Sequence, residues 1–194
     1  MRTRDRLLDA ALAITTAQGW AQVTMAKVAA AGGVSRQTVY NELGTKDDLA
    51  QALVARETGR FLELVAQRLR AEQADIPTAV AAAVRTALEH GAGNTLTAAA
   101  VQSADGDGTG LLPLLTARPE LVLQRSVATL AALAEELWAE RGLRPVELHE
   151  LMDTVVRLTL SHLLQPVWPV EHTTAVIGRL VRAVLAAGVT HGAP

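Results

Sequence analysis

The stretch TMAKVAAAGGVSRQTVYNELGTK, residues 24–46, predicts two short helices joined by a tight turn. Thr24 suits the N-cap of the first helix and Ser35 that of the second, because a side-chain hydroxyl can accept a bond from an early helical N–H. Gly32 and Gly33 stand between the two helices, where a chain ends a helix most easily in a residue with positive φ. The pattern is therefore typical of a helix-turn-helix.

The second helix of this pair has one apolar side and one polar side. Val39 and Leu43 lie four residues apart and are expected to face inward. The side chains left on the outer side are Arg36, Gln37, Thr38, Tyr40 and Asn41. They include phosphate binders and readers of base edges, and a helix-turn-helix places such a helix in the major groove of DNA. This surface therefore predicts a DNA partner.

Residues 24–46 resemble the DNA-binding domain of the TetR family of transcriptional regulators. The pattern T-x3-V-A-x3-G-V-S-x4-Y-x5-K is matched by Thr24, Val28, Ala29, Gly33, Val34, Ser35, Tyr40 and Lys46. Two positions depart from the family's usual residues, since Leu43 replaces an aromatic residue and Gly32 replaces an alanine. We expect the leucine to keep the inward apolar contact and the second glycine to loosen the turn slightly.

The resemblance implies an all-α fold with an N-terminal three-helix head, which carries the helix-turn-helix, and a C-terminal helical body. About nine helices are expected, with a DNA-binding domain over residues 1–46 and a ligand-binding and dimerisation domain over residues 47–194. The composition agrees, because 49% of the residues are hydrophobic and only 3% are aromatic. Such an aliphatic, alanine-rich interior favours close-packed helices over a sheet.

Charge is distributed unevenly along the chain, whose net charge is −2. Residues 1–46 contain six basic and three acidic residues, whereas residues 47–194 contain 12 basic and 17 acidic residues. A basic head and an acidic body fit a protein of which one end faces phosphate. The sequence has no cysteine, no signal-peptide pattern and no apolar run of membrane-spanning length. We therefore expect a cytoplasmic protein without a membrane partner.

Residue chemistry and the resemblance together assign roles within the DNA-binding surface. Thr24, Tyr40 and Lys46 are expected to hold phosphates, through two hydroxyl groups and one positive charge. Ser35 is expected to act first as a helix cap and second as a phosphate contact. The candidates for base edges are Arg36, Gln37, Thr38 and Asn41. Arginine suits guanine, whereas glutamine and asparagine suit adenine.

The apolar pattern predicts five further helices after a long one that begins near Lys46. They are expected at 77–90, 95–103, 119–141, 146–164 and 171–187, with a glycine-rich loop at 105–110. The resemblance implies a ligand pocket between the first four of them. The side chains expected to reach it are Val84, Leu88, Gln102, Leu123, Val127, Leu130, Leu158 and His162. They predict an elongated, mostly apolar effector with at most one polar end, such as a fatty-acid, alkane or terpenoid derivative.

The last two predicted helices are apolar on more than one side. Apolar residues surround most of the helix at 146–164 and form a broad stripe on the helix at 171–187. Such helices must be covered on more than one side, which a deeply buried position in a monomer would also satisfy. The resemblance implies instead a four-helix bundle between two copies. We therefore expect a homodimer, whose two recognition helices suit a palindromic operator.

The sequence and the resemblance together predict a ligand-responsive DNA-binding transcriptional regulator rather than an enzyme. Since most TetR-like proteins block promoters until a ligand binds, a repressor is expected, while the sequence alone leaves repression and activation open. The alternative is a helical small-molecule-binding protein or enzyme whose head does not bind DNA. A pocket collapsed around alanines, with no small molecule bound, is also open. Asp105, Asp107 and Gly110 match part of a calcium-binding EF-hand loop, but Thr116 stands where that loop needs a glutamate. Sequence motifs for a nucleophile or a dinucleotide are absent, so we expect no catalytic residue, metal or cofactor.

Overall fold

The computed structural model describes residues 2–92 and 120–190. These ranges form eight α-helices and contain no strand, which confirms the all-α prediction. The helices are α1 Thr3–Gln18, α2 Met25–Gly32, α3 Arg36–Leu43, α4 Lys46–Ala71, α5 Ile76–Ala92, α6 Arg125–Trp138, α7 Pro145–Leu164 and α8 Val170–Thr190. Short 3₁₀ turns lie at Trp20–Gln22 and Ala139–Arg141, and a π-helical turn lies at Glu120–Gln124. The helix predicted at 95–103 and the loop at 105–110 lie outside the described residues.

The chain divides into two compact units, which we call the head and the body. Among the described residues, the head comprises 2–59 and 120–122, and the body comprises 60–92 and 123–190. Helix α4 begins in the head and ends in the body. The division by function after residue 46 stays a prediction. Within the described ranges, no helix is long and apolar enough to cross a membrane.

The head is built around a small apolar core to which its four helices all contribute. Leu7 of α1, Val28 of α2 and Val39 of α3 are fully buried in it. Leu53 of α4 is fully buried in the same core. Trp20, in the 3₁₀ turn between α1 and α2, is also buried. The inward apolar side predicted for the second helix of the helix-turn-helix is therefore confirmed.

Two glycines end α2, and each is there for a different reason. Gly33 has a φ of +66°, and its N–H bonds to the carbonyl oxygens of Ala29 and Ala30, so it closes the helix in a left-handed conformation. Gly32 is still helical, and a β-carbon built there would lie 2.5 Å from Leu7 Cδ2. This glycine, at a position where the family usually has alanine, therefore makes room for a core leucine rather than loosening the turn as expected.

Helix α5 runs two residues beyond its predicted end, to Ala92, because Gly91 does not stop it. A β-carbon at Gly91 would lie 2.4 Å from Leu163 Cδ2, so the glycine allows α5 and α7 to approach closely. At the other end of α5, the hydroxyl and the N–H of Thr78 both donate to the Asp75 carboxylate. These bonds cap the helix and lower the pKa of Asp75.

The helix predicted at 119–141 is α-helical only in its middle, where α6 stands between the π-helical turn and a 3₁₀ turn. Trp138, the last residue of α6, is fully buried, and its indole N–H donates to the carbonyl oxygen of Gln73 at 3.1 Å. Arg141 donates to the next carbonyl oxygen, that of Ala74, at 3.0 Å. These bonds hold the end of α6 against the connection between α4 and α5. Trp138 thus belongs to the body core and is not a stacking surface for a ligand.

Replacing Trp138 by phenylalanine is expected to lower the free energy of unfolding by about 2 kcal/mol. The change removes the bond to the Gln73 carbonyl and leaves a gap beside the smaller ring. Unfolding by denaturant, followed by circular dichroism, measures the loss. The matched control is Trp168→Phe, because Trp168 is 49% exposed and the same change there should cost less than about 0.5 kcal/mol. Equal losses in the two variants would contradict the anchoring role of Trp138.

Candidate nucleic-acid interface

Both helices of the helix-turn-helix begin at a residue whose hydroxyl caps the helix. Thr24 Oγ1 accepts the N–H of Lys27 at 3.2 Å, and Ser35 Oγ accepts the N–H of Thr38 at 3.1 Å. The capping roles predicted for Thr24 and Ser35 are confirmed by these bonds. The hydroxyl of Thr38 also lies 3.0 Å from Ser35 Oγ. Thr38 is half-buried, so it is the least exposed of the base-edge candidates.

The outer side of α3 carries the other base-edge candidates, and Arg36, Gln37 and Asn41 are all exposed. Gln37 Nε2 donates to Asn41 Oδ1 at 2.9 Å, one helical turn along. This bond leaves a carbonyl acceptor on Gln37 and an amide donor group on Asn41 for a base edge. Tyr40 is 50% exposed, so a large ring and its hydroxyl are available beside these polar groups.

The phosphate candidate Lys46 is the first residue of α4, a helix that is capped reciprocally. The N–H of Thr45 donates to the Asp48 carboxylate at 2.8 Å, and the N–H of Asp48 donates to Thr45 Oγ1 at 3.2 Å. The ammonium group of Lys46 lies 5.4 Å from the ring centre of Trp20. Local sequence pattern does not predict this contact, because nothing in the chain between the two residues indicates that they meet.

Two other basic side chains of the head are held by contacts that the sequence analysis did not predict. The guanidinium of Arg4 donates to the carbonyl oxygen of Glu42, in the last turn of α3. A cation is favourable there, because the helix dipole makes this end of α3 negative. Lys27 donates to the side-chain oxygens of Gln18 and Gln22 at 3.1 and 3.3 Å.

Arg56 connects the head portion of α4 to α1. Its guanidinium donates to the carbonyl oxygen of Asp5 at 3.2 Å and pairs with the Asp9 carboxylate at 2.9 Å. Its Nε donates to Glu57 Oε1 at 2.9 Å. Because the arginine side chain is largely buried, these charge-assisted bonds fix α4 against α1 within the head. The start of α4, with Lys46, is thereby part of one rigid frame with α1.

The body contains a cavity of about 50 Å³ bounded by α4, α5, α6 and α7. Aliphatic side chains dominate its wall, and none of the described residues that line it is charged. Phe61 and Leu69 contribute from α4, a helix that the sequence analysis did not place at the pocket. Ser126 and Thr159 are the polar residues of the described lining, and the Thr159 hydroxyl donates to the Val155 carbonyl oxygen at 2.7 Å. The wall of the cavity is therefore almost entirely apolar.

The pocket residues predicted from the sequence are only partly collected at this cavity. Val84 and Leu130 line it. The residues that are buried in the body core or pack against it without lining the cavity are Leu88, Leu123, Val127 and Leu158. His162 also lies away from the described lining, with its Nδ1 2.8 Å from the Leu158 carbonyl oxygen and its ring centre 5.8 Å from that of Trp168. Gln102 lies outside the described residues.

Two family models match most of the chain. Residues 7–53 match bacterial regulatory proteins of the tetR family, and residues 75–183 match the C-terminal domain of the bacterial Tetracyclin repressor. The chain belongs to the TetR family. It is therefore a DNA-binding transcriptional regulator, and the resemblance found in residues 24–46 is confirmed by models that cover both the head and the body.

Relatives within the TetR family match this chain over nearly its whole length. The HTH-type transcriptional regulator AlkX of Mycobacterium tuberculosis is 28% identical over 178 residues, which are 92% of this chain and 82% of that protein. The TetR-family repressor AlkX from Dietzia sp., implicated in biodegradation of n-alkanes, has a TM-score of 0.77 at 22% identity, over 93% of this chain and 97% of that one. FadR of Thermus thermophilus, solved in complex with lauroyl-CoA, has a TM-score of 0.58 at 20% identity, over 94% and 93% of the two chains. The two solved structures share this fold.

Lys46→Ala is expected to weaken binding to all DNA sequences alike, whereas Gln37→Ala should relax the preference for particular bases. Loss of one phosphate contact lowers the slope of log affinity against log salt by about 1. Loss of a base contact costs about 1–3 kcal/mol at the preferred base alone. Binding to a randomised duplex library, and to chosen duplexes at several salt concentrations, separates the two effects. The control is Arg70→Ala, at an exposed basic residue of the body, which should change neither the salt dependence nor the base preference. Identical specificity profiles for Lys46→Ala and Gln37→Ala would contradict this division of roles.

Proposed function

We propose that this TetR-family protein is a repressor that leaves a palindromic operator when a small apolar effector binds in its body. The observation that carries the proposal is the body cavity, whose described lining contains no charged side chain. A ligand shifts a conformational equilibrium toward the state that it binds better, so a ligand in the body can change the affinity of the head for DNA. Family membership favours this function over an enzyme or a binding protein whose head does not meet DNA.

The effector that we propose is an alkyl chain with at most one polar end. The cavity wall would remove water from a charged group without offering it a partner, which is costly. Coenzyme A carries several phosphate charges that need basic partners, and the described lining supplies none. The n-alkanes connected with AlkX from Dietzia sp. and the lauroyl-CoA bound to FadR have an alkyl chain in common. Of these two ligand classes, the lining favours a hydrocarbon over an acyl-CoA thioester.

A cavity of about 50 Å³ is much smaller than the roughly 300–1,000 Å³ of most ligand pockets, so the effector must enlarge it. Side chains on the wall would then move apart, among them Phe61 and Leu69 on α4. The same helix begins with Lys46, the proposed phosphate contact. We propose that effector binding alters the course of α4 and moves Lys46 away from the position in which it meets DNA. Loss of that contact would lower operator affinity.

A homodimer formed through α7 and α8 is the assembly that we propose. Leu180 and Val184 on α8 are 39% and 48% exposed in the single chain. They line a groove of about 290 Å³ between α7 and α8, to which Leu148 and Leu151 also contribute. Apolar helix sides of this kind need cover, and a second copy related by a two-fold axis supplies it from the same surface. The two recognition helices of such a dimer suit a palindromic operator.

The operator and the sign of regulation are accessible to direct tests. We expect DNA flanking the protein's own gene to be shifted in a gel, with an affinity that falls steeply as salt rises. A head that does not bind DNA would give no shift at any salt concentration. A reporter driven by the shifted promoter should be silent with the protein present and recover when an alkyl effector is added; the opposite response would indicate an activator. Because a transcriptional regulator must reach the DNA of its operator, we propose a cytoplasmic location.

Ala87→Leu is expected to remove the response to the effector while DNA binding remains. Ala87 lines the cavity, and the larger side chain would fill the space that an alkyl chain needs. In the unmodified protein, an alkyl ligand at about 100 times its Kd should add roughly 2.7 kcal/mol of stability. Thermal unfolding with decane, decanol, decanoate and lauroyl-CoA measures this effect. The matched control is Ala82→Leu, because Ala82 is half-exposed on α5 and is not among the described residues of the lining.

Two outcomes of this ligand series would contradict the proposed effector. Stabilisation by nucleotides or charged sugars, with none from alkyl compounds, would mean that the ligand site lies elsewhere. Stabilisation by none of the compounds would favour a body whose cavity is closed to small molecules. Equal loss of the response in Ala87→Leu and Ala82→Leu would dissociate the effect from the cavity.

Val184→Glu is expected to weaken dimerisation at least about tenfold, because it brings a charge into the proposed apolar interface. Sedimentation velocity across a range of protein concentrations measures the change. Ala175→Glu is the matched control: it adds the same charge at an exposed position on the opposite side of α8 and should leave the dimer intact. A Val184→Glu variant as dimeric as the control would contradict an interface through this side of α8.

A further inference from the structure

The contact between Lys46 and Trp20 links the DNA-facing surface to the core of the head. Trp20 is 6% exposed and belongs to the same buried cluster as Leu7 and Val39, so its ring has one fixed position. The ammonium group of Lys46 lies 5.4 Å from the centre of that ring, within the distance at which a cation is attracted to an aromatic face. Lys46 is itself half-buried, which restricts its long side chain further.

The kind of contact decides what Lys46 remains able to do. A carboxylate partner would neutralise the ammonium charge and compete with a phosphate for its N–H groups. An indole ring holds the cation through its π electrons and accepts no conventional hydrogen bond there, so the full charge and the three N–H donors stay available. The nearby Asp48 carboxylate takes bonds from the N–H and the hydroxyl of Thr45. The Trp20 ring therefore holds the Lys46 ammonium group in place, while its charge and its hydrogen-bond donors stay available for a phosphate.

We propose that Trp20 is a positioning residue for DNA binding, which acts through Lys46. A free lysine side chain loses much rotational freedom when it meets a phosphate, and that loss weakens binding. Because of the contact with Trp20, Lys46 loses this rotational freedom when the head folds. Its ammonium group is therefore already held at the start of α4 before DNA binds. This inference rests on the proposed role of Lys46 as a phosphate contact.

A double-mutant cycle on DNA affinity tests the proposal. Trp20→Leu removes the aromatic face, Lys46→Met removes the charge, and the operator is a duplex selected from a random library. Trp20→Leu should weaken binding by about two- to fivefold in the otherwise unmodified protein, because Lys46 then loses its rotational freedom on binding DNA instead of on folding. In the Lys46→Met background it should have no effect. Trp168→Leu, at an exposed tryptophan of the body, is the control and should have no effect in either background.

A readout without DNA tests the contact itself. The ring current of Trp20 should shift the ε-methylene protons of Lys46 upfield in NMR spectra of the free protein, and Trp20→Leu should abolish that shift. If Trp20→Leu disturbs the fold of the head, as its thermal unfolding would reveal, Trp20→Phe replaces it. Phenylalanine keeps the apolar contact and weakens the cation attraction, so it should give a smaller effect in the same direction.

The possible outcomes separate this inference from the proposed function. An equal loss from Trp20→Leu in both backgrounds would overturn the inference, because the tryptophan would then act through core packing alone. An affinity unchanged by Lys46→Met would overturn it together with the phosphate role of Lys46, while binding to the operator remained. Failure of the unmodified chain to prefer any duplex would contradict the proposed repressor function as well.

Discussion

The recognition helix α3 has eight residues, too few for a helix to be stable by itself in water. It exists because the head holds it at three places. Ser35 caps its first turn, Val39 and Leu43 are buried in the head core, and Arg4 bonds to its last turn. The side chains of α3 that we propose to meet DNA are therefore positioned by contacts between this helix and the rest of the head.

The same head also restrains the polar groups that face outward. Gln37 bonds to Asn41, and Lys46 rests on Trp20, so these side chains are partly ordered before any partner arrives. Restraint of this kind lowers the entropy lost on binding, provided that the contacts leave donors and acceptors free. Both contacts satisfy that condition. The Arg56 bonds to α1 extend the rigid frame to the start of α4, since they join the helix that carries Lys46 to the rest of the head.

In the body, apolar packing is nearly complete, with two exceptions: a small cavity and an exposed apolar part of α8. Its core includes the fully buried Trp138, and glycines such as Gly91 let helices approach to contact distance. A small cavity remains where aliphatic walls from four helices do not quite close. On α8, Leu180 and Val184 stay exposed although Ile177 and Val181 of the same helix are buried. Both exceptions are apolar, which fits a hydrocarbon ligand in the first case and a second copy in the second.

Local pattern in the sequence determined the helices of the head, both hydroxyl caps, the left-handed turn at Gly33 and the family. These features depend on residues within a few positions of one another, so spacing alone contains them. The tertiary structure decided what distant segments do to each other. It brings Trp20 under Lys46, makes Gly32 a site of close approach for Leu7, and sends Leu88 and Val127 to the core instead of the cavity wall. No periodicity encodes such contacts, because which apolar residue meets a cavity and which meets a neighbouring helix depends on how several helices pack together.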